Sequence, residues 1–282
     1  MKITFLGTAA IGYPLAFCNC ENCQQARIYR GKSIRKRASI LINENLLIDL
    51  GPDTQTSMMM YNKDMGKVTY LLQTHIHADH FDPSLLCTRL PHQIEKKLRM
   101  LDIYAHPDCL QYMNKQLLWL EQIDLMSQSQ EGANKLHVGI HSIRAGDVVT
   151  FANYKIKAIE TNHDTKHGSL LYVISQDDKN VFYATDTPEL TENALKQLQN
   201  IKMRVIIMDH TFGDVGYSYS HLNEELFLKQ IEKLKKINCI DENTEIFATH
   251  ISHEGMKFHE YIEAKANSYG YHIAFDGMEL EI

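Results

Sequence analysis

The stretch Thr74-His75-Ile76-His77-Ala78-Asp79-His80 sets three imidazoles and a carboxylate within six residues. That spacing offers nitrogen and oxygen donors to divalent cations at one point, and the donor count suits a pair of ions. Such a cluster is expensive to bury without metal, because each polar ring then needs its own hydrogen-bond partner. A polar loop with chance histidines is the alternative. Near the N-terminus, Cys18, Cys20 and Cys23 form a C-x-C-x-x-C pattern. Tight clustering of thiols in a cytosolic chain favours metal over disulfide, and a tetrahedral structural zinc would need a fourth ligand from elsewhere in the chain. The other reading is three reduced thiols in a surface loop. Cys87, Cys109 and Cys239 are scattered and read as buried or half-buried thiols.

Such donors need elements that bring distant segments together. Apolar or alternating runs predict strands over 2–6, 38–43, 46–49, 68–73, 101–105, 154–159, 169–174, 180–184, 204–208, 245–249 and 271–275. Helices are predicted over 83–90, 109–128, 189–200 and 222–237. Metal-capable residues stand at or just past strand ends: His75 after one, then His163, Asp186 and His250 after others. Loops leaving one edge of a sheet converge, so these residues point to a shared metal centre. Asp49 closes the 46–49 run, where it either orients a metal-ligand histidine or caps a turn. The 109–128 stripe, with the only tryptophan, Trp119, reads as packing, with an inserted helix or a lid as the other reading. Gly7-Thr8-Ala9-Ala10-Ile11-Gly12 lacks the lysine and spacing of a phosphate-binding loop, so nucleotide cofactors are rejected.

A chain of 282 residues with 44% hydrophobic and 23% charged residues can bury a sizeable core. Its net charge of −6 leaves no basic footprint, so nucleic acid is not an expected partner. No apolar run approaches a membrane span, and Met1-Lys2-Ile3 enters a strand without a signal-peptide layout, so a cytoplasmic location is expected. Without repeats or linkers, one domain over 1–282 is the expectation, with a possible helical insertion near 107–135.

The motif His75-Ile76-His77-Ala78-Asp79-His80, followed in order by His163, Asp186 and His250, resembles that of the metallo-β-lactamase superfamily. The opening Leu6-Gly7-Thr8 and the segment Leu47-Ile48-Asp49-Leu50-Gly51 agree with it. The resemblance implies an α/β fold, a four-layer αβ/βα sandwich with two metals between its sheets. Within that superfamily, Cys18/Cys20/Cys23, Thr249-His250-Ile251-Ser252-His253 and Phe275-Asp276-Gly277-Met278-Glu279 resemble the PhnP-type phosphodiesterases, which act on phosphoribosyl cyclic phosphate. That likeness implies His253 as the fourth ligand of a structural zinc, and places His221 of Tyr219-Ser220-His221-Leu222-Asn223 near the phosphate. The pyrroloquinoline-quinone biosynthesis proteins share the cysteine cluster but tend to have a degraded histidine motif. The chain departs from the pattern at Phe81-Asp82-Pro83-Ser84 and in a longer 110–135 region, both expected near substrate entry.

The implied mechanism is phosphodiester hydrolysis at two divalent ions, zinc or manganese. His75, His77 and His163 would bind one ion, Asp79, His80 and His250 the other, and Asp186 both. The ions would turn a shared water into hydroxide for in-line attack on phosphorus. Asp79 and His221 are the expected catalytic residues, His221 as phosphate ligand or as acid to the leaving oxygen. The expected substrate is a small phosphodiester; the assembly is open, a homodimer being one candidate. A hydrolase of another ester, lactone, thioester, β-lactam or RNA is the nearest alternative, and a metal-binding accessory protein without turnover the next. His92, His106, His137, His141, His210, His259 and His272 read as surface or hydrogen-bonded core residues, and His167 as a residue that could reach the site.

Overall fold

The computed structural model describes residues 1–94, 98–216, 220–255 and 257–282. Among the described residues, fourteen strands form two sheets of seven. The first contains β1 (Lys2–Gly7), β2 (Ser39–Ile42), β3 (Leu46–Ile48), β4 (Tyr70–Leu72), β5 (Leu101–Ala105) and β6 (Val138–Ser142) in that order. The second holds β7 (Val148–Phe151), β8 (Tyr154–Glu160), β9 (Leu170–Gln176), β10 (Lys179–Ala184), β11 (Val205–Asp209), β12 (Glu245–Thr249) and β13 (His272–Ile273), while β14 (Glu279–Glu281) returns to pair with β1.

Central strands are buried on both faces, so they read as continuous apolar runs rather than alternating ones. In β2, Ile40 and Ile42 face the core shared by the sheets, while Leu41 faces outward. In β11, Val205 and Ile207 face that shared core, and Ile206 and Met208 face the other way. The outward face of the first sheet packs on Met58 of α2 (Thr54–Met60) and on Met113 and Leu117 of α3 (Pro107–Glu121). The outward face of the second packs on Leu195 of α5 (Glu192–Leu198), Phe227 and Leu234 of α6 (Glu224–Lys236) and Ala266 of α7 (His259–Ser268). Helix, sheet, sheet, helix is the four-layer αβ/βα sandwich.

Several elements differ from the sequence reading. The 83–90 segment is a 3-10 helix over Pro83–Arg89, opened by Asp82, whose side chain accepts from Ser84 N. Helix α1 (Glu21–Tyr29) is an addition, with Cys20 as its N-cap and Cys23 buried within it. The 109–128 stripe starts earlier and stops at Glu121, where Gln122 turns left-handed, and α4 (Glu131–Leu136) follows. Helix α3 buries Cys109, Leu110, Met113 and Leu117 and leaves Trp119 80% exposed, so the stripe is packing.

Strands β3 to β6 run parallel, as do β10 to β13. Their C-terminal ends lie on one edge of each sheet, where crevices form in sheet proteins of this kind.

Candidate metal centre

Strand ends deliver the donors. Asp49 follows β3, His75 and its neighbours follow β4, His163 follows β8, Asp186 follows β10, and His250 follows β12. Asp49, Asp186 and His250 turn with φ of 67°, 53° and 60°, a left-handed conformation unfavourable for residues other than glycine. Strain of that kind persists only where the surroundings over-determine it. Gly51 matters for a related reason: a Cβ there would sit 2.8 Å from the Asp79 carbonyl oxygen, so only glycine lets this loop lie against the histidine motif.

The ligand atoms converge. His75 Nε2 and His163 Nε2 lie 2.9 and 3.1 Å from His77 Nδ1, while Asp186 Oδ2 is 3.0 Å from His75 Nε2. On the other side, His80 Nε2 is 3.0 Å from His250 Nε2 and 2.9 Å from Asp186 Oδ2, and Asp79 Oδ2 is 3.5 Å from His250 Nε2. Two ligands of one ion stand about 3.0–3.4 Å apart when each bond is about 2.1 Å, so both groups have the span of a coordination shell. Asp186 belongs to both groups.

The far side of each ring fixes its proton. His80 Nδ1–H donates to Asp49 Oδ2 at 2.8 Å. His163 Nδ1–H donates to the Ser220 carbonyl at 3.1 Å. Thr74 Oγ1 donates to Asp49 Oδ1 and therefore accepts from His75 Nδ1–H at 2.9 Å. Thr211 Oγ1 likewise donates to Asp209 Oδ2 and accepts from His250 Nδ1–H at 2.8 Å. The opposite nitrogens then turn lone pairs toward one another and toward Asp79 and Asp186. Such a centre calls for positive charge, and divalent cations fit its donors. Charge preferences agree: burial opposes a charged His80, yet Asp79, Asp186 and Asp49 outweigh it and raise the ring well above its ordinary range. Burial pushes His75 down to about 4, keeping it a neutral donor. Burial also opposes ionisation of Asp186, but His250 and His80 hold its carboxyl far below the usual range.

Of the two roles open to Asp49, the structure places it as the partner of His80, fully buried with four hydrogen bonds from Gln73, Thr74 and His80. His221 Nδ1 lies 3.0 Å from both Asp186 Oδ1 and Asp209 Oδ2. Burial disfavours its charge, but Asp209 and Asp186 prevail and push it up to about 10. Tyr219 of the same motif lies outside the described residues. His167 does not join the donors; its Nδ1 is 2.9 Å from Asp164 Oδ2. Of the other histidines, His141 pairs with Asp102, His272 with Glu263 and His259 with Arg35.

Three supporting residues were not anticipated. Gln73 is fully buried, accepts from Leu50 N and donates to Asp49 Oδ1 and to the carbonyls of His75 and His80, so one amide ties both ends of the histidine motif together. Asp209 holds His221 and Thr211, and Asp164 Oδ2 stands 3.8 Å from His77 Nε2. Asp209 was legible in principle, since it ends a strand as Asp186 and His250 do. A cavity of about 350 Å³ opens over the centre, lined by His77, Asp79, His163, Asp186, His221 and His250 among others. No residue of 107–135, the longer region expected near substrate entry, lines it.

A separate group forms from Cys18, Cys20, Cys23 and His253, whose donor atoms all lie within 4.8 Å of one another. Cys18 Sγ and Cys20 Sγ are 3.4 and 3.5 Å from His253 Nδ1. Burial resists ionisation of Cys20, but His253 and the Cys23 backbone N–H pull its thiol down to about 6. Three sulfurs and an imidazole are donors for zinc.

Residues 44–273 match the model of the beta-lactamase superfamily domain. Over 151 residues, 51% of this chain, the sequence is 32% identical to a ribonuclease Z of Haloferax volcanii, but it spans only 43% of that relative's length. A crystal structure of a diphosphatase from the PhnP family superposes with a TM-score of 0.74 at 18% identity, covering 100% of this chain and 97% of that one. Zinc-bound PqqB from Methylobacterium extorquens gives 0.69 at 18% identity, with 100% of both chains covered. At that identity the structural likeness speaks for the fold. The family match, the four-layer sandwich and the ligand-bearing strand ends agree that the chain belongs to the metallo-β-lactamase superfamily.

Proposed function

We propose that the chain is a metal-dependent hydrolase that cleaves a small phosphodiester, cyclic ribose phosphates included, at a two-metal centre. The observation that carries the reading is the convergence of seven donors with the His221–Asp209 pair beneath one open cavity. His75, His77 and His163 would hold one divalent ion, Asp79, His80 and His250 the other, with Asp186 between them; zinc and manganese both suit these donors. Two such ions supply an activated water and neutralise charge on the phosphoryl oxygens. The chain's own residues do the rest. Asp49, Thr74 and Thr211 hold the ligand rings in the tautomer that aims lone pairs inward. Asp209 fixes His221 through Nδ1, so that its imidazole meets the substrate at the cavity wall, binding a phosphoryl oxygen or protonating the departing one.

The Cys18/Cys20/Cys23/His253 group is proposed to hold a structural zinc, within a single domain spanning 1–282. Thiols of this kind fit a cytoplasmic setting, and no described helix is long and apolar enough to cross a membrane. RNA cleavage is a second reading, favoured by the identity to ribonuclease Z. Turnover of bis(p-nitrophenyl) phosphate, a cyclic ribose phosphate, an RNA precursor, a lactone and a thioester by metal-analysed protein tests the assignment. Diester hydrolysis is expected; cleavage of only the lactone or thioester would overturn it.

A further inference from the structure

The cavity over the metal centre has an uneven lining. Beyond the ligand cluster and His221 its wall includes Ala10, Ile11, Thr211, Phe212, Ser252 and Glu254, with no lysine or arginine among the described lining residues. Sites that accept additional phosphates or carboxylates supply guanidinium or ammonium groups for them. Here the metal centre and His221, itself paired with Asp186 and Asp209, can meet the single negative charge of a diester, and the rest of the wall adds hydroxyls, apolar surface, the His253 ring of the cysteine group and Glu254.

Glu254 is exposed but not loosely placed. Its N–H donates to Ser252 Oγ at 3.2 Å. On one side His253 is held by the cysteine cluster and by Asn22, whose Nδ2 donates to the His253 carbonyl at 2.9 Å. On the other, Gly255 lies against the Phe212 backbone so closely that a Cβ would sit 1.9 Å from the Phe212 carbonyl oxygen. Fixed neighbours on both sides hold the backbone of Glu254 at the cavity wall, which Phe212, an aromatic residue that also favours cations, lines as well.

We propose that this cavity selects phosphodiesters by charge, taking those whose second ester group is cationic or neutral and turning away those with a further anion, and that Glu254 sets the preference. The inference rests on the phosphodiesterase reading. A matched series tests it: p-nitrophenyl phosphodiesters whose second group is choline, ethyl or carboxyethyl. In each, water adds to phosphorus, the bond to p-nitrophenolate breaks, and a monoester with the second group remains. The metal-loaded protein should favour choline over carboxyethyl in kcat/KM by about fivefold or more at low salt, mainly through KM, with the gap closing as salt rises. Glu254→Gln should narrow the ratio. Ile11→Lys, at a position 54% exposed and therefore tolerant of the change, should raise the carboxyethyl diester selectively. Equal or better turnover of the carboxyethyl diester by the unaltered protein, or a ratio that neither variant moves, would overturn the proposal. Failure to cleave any of the diesters would instead remove the phosphodiesterase reading on which it stands.

Discussion

The two ligand clusters are held by opposite means. In the histidine–carboxylate centre, donors arrive from four strand ends and most are buried, with the far nitrogens of His75, His80, His163 and His250 each tied to a fixed partner. In the cysteine cluster, Cys18, Cys20 and Cys23 come from one loop and the first turn of α1, and Cys20 is exposed. The first is organised by buried strand ends and their side-chain hydrogen bonds; the second by one surface loop, which Asn22 ties to His253 and Arg27 ties to the carbonyls of Leu15 and Cys18. The loop His250–His253 joins them, with His250 in the one and His253 in the other. A centre preorganised by the fold can lose its ions without losing its shape, whereas a metal that links a surface loop to a distant histidine contributes directly to folding.

Substitutions can break this contrast at graded levels. Asp186→Ala removes the carboxylate common to both halves of the centre and should cost at least about a thousandfold in turnover of bis(p-nitrophenyl) phosphate, together with the paired-metal content. Retention of full turnover would refute the shared-ligand role. Asp209→Asn should lower kcat by about a hundredfold while metal analysis still finds the active-site ions, because it acts through His221; loss of metal in step with activity would make Asp209 part of the metal shell instead. Asp49→Asn replaces the acceptor of His80 Nδ1–H and should weaken metal affinity about 10- to 100-fold, with near-normal turnover restored at saturating metal. Cys20→Ala should lower zinc content and melting temperature yet change kcat on a neutral diester only a few-fold, leaving the active-site ions bound. Unchanged zinc content in that variant would dismiss the second site.

Much of the centre was legible because donors carry their chemistry in their identity and strands carry theirs in apolar runs. His75 to His80, His163, Asp186 and His250 needed only those signals. What stayed hidden depends on contacts distant in sequence. Gln73 looked like the last residue of a strand, and only the folded chain shows its amide bridging Leu50, Asp49 and the ends of the histidine motif. Left-handed turns at Asp49, Asp186 and His250 have no glycine to announce them, since tertiary context imposes them. Helix α1 escaped notice because Cys20 caps it without a side-chain hydrogen bond and its nine residues carry weak periodicity. The 83–90 segment kept its proline start, but seven residues settled into the tighter 3-10 form.

On the proposed reading, the histidine–carboxylate cluster performs the chemistry and the cysteine cluster only supports it. Reconstituting apo-protein stepwise with zinc or manganese while following bis(p-nitrophenyl) phosphate hydrolysis tests it most directly. Turnover should rise with the filling of the pair bound by His75, His77, His163, Asp79, His80, His250 and Asp186, after the thiolate site has already taken its zinc. Full hydrolytic activity with only the thiolate site filled, or fully loaded protein that leaves every phosphodiester intact, would contradict it.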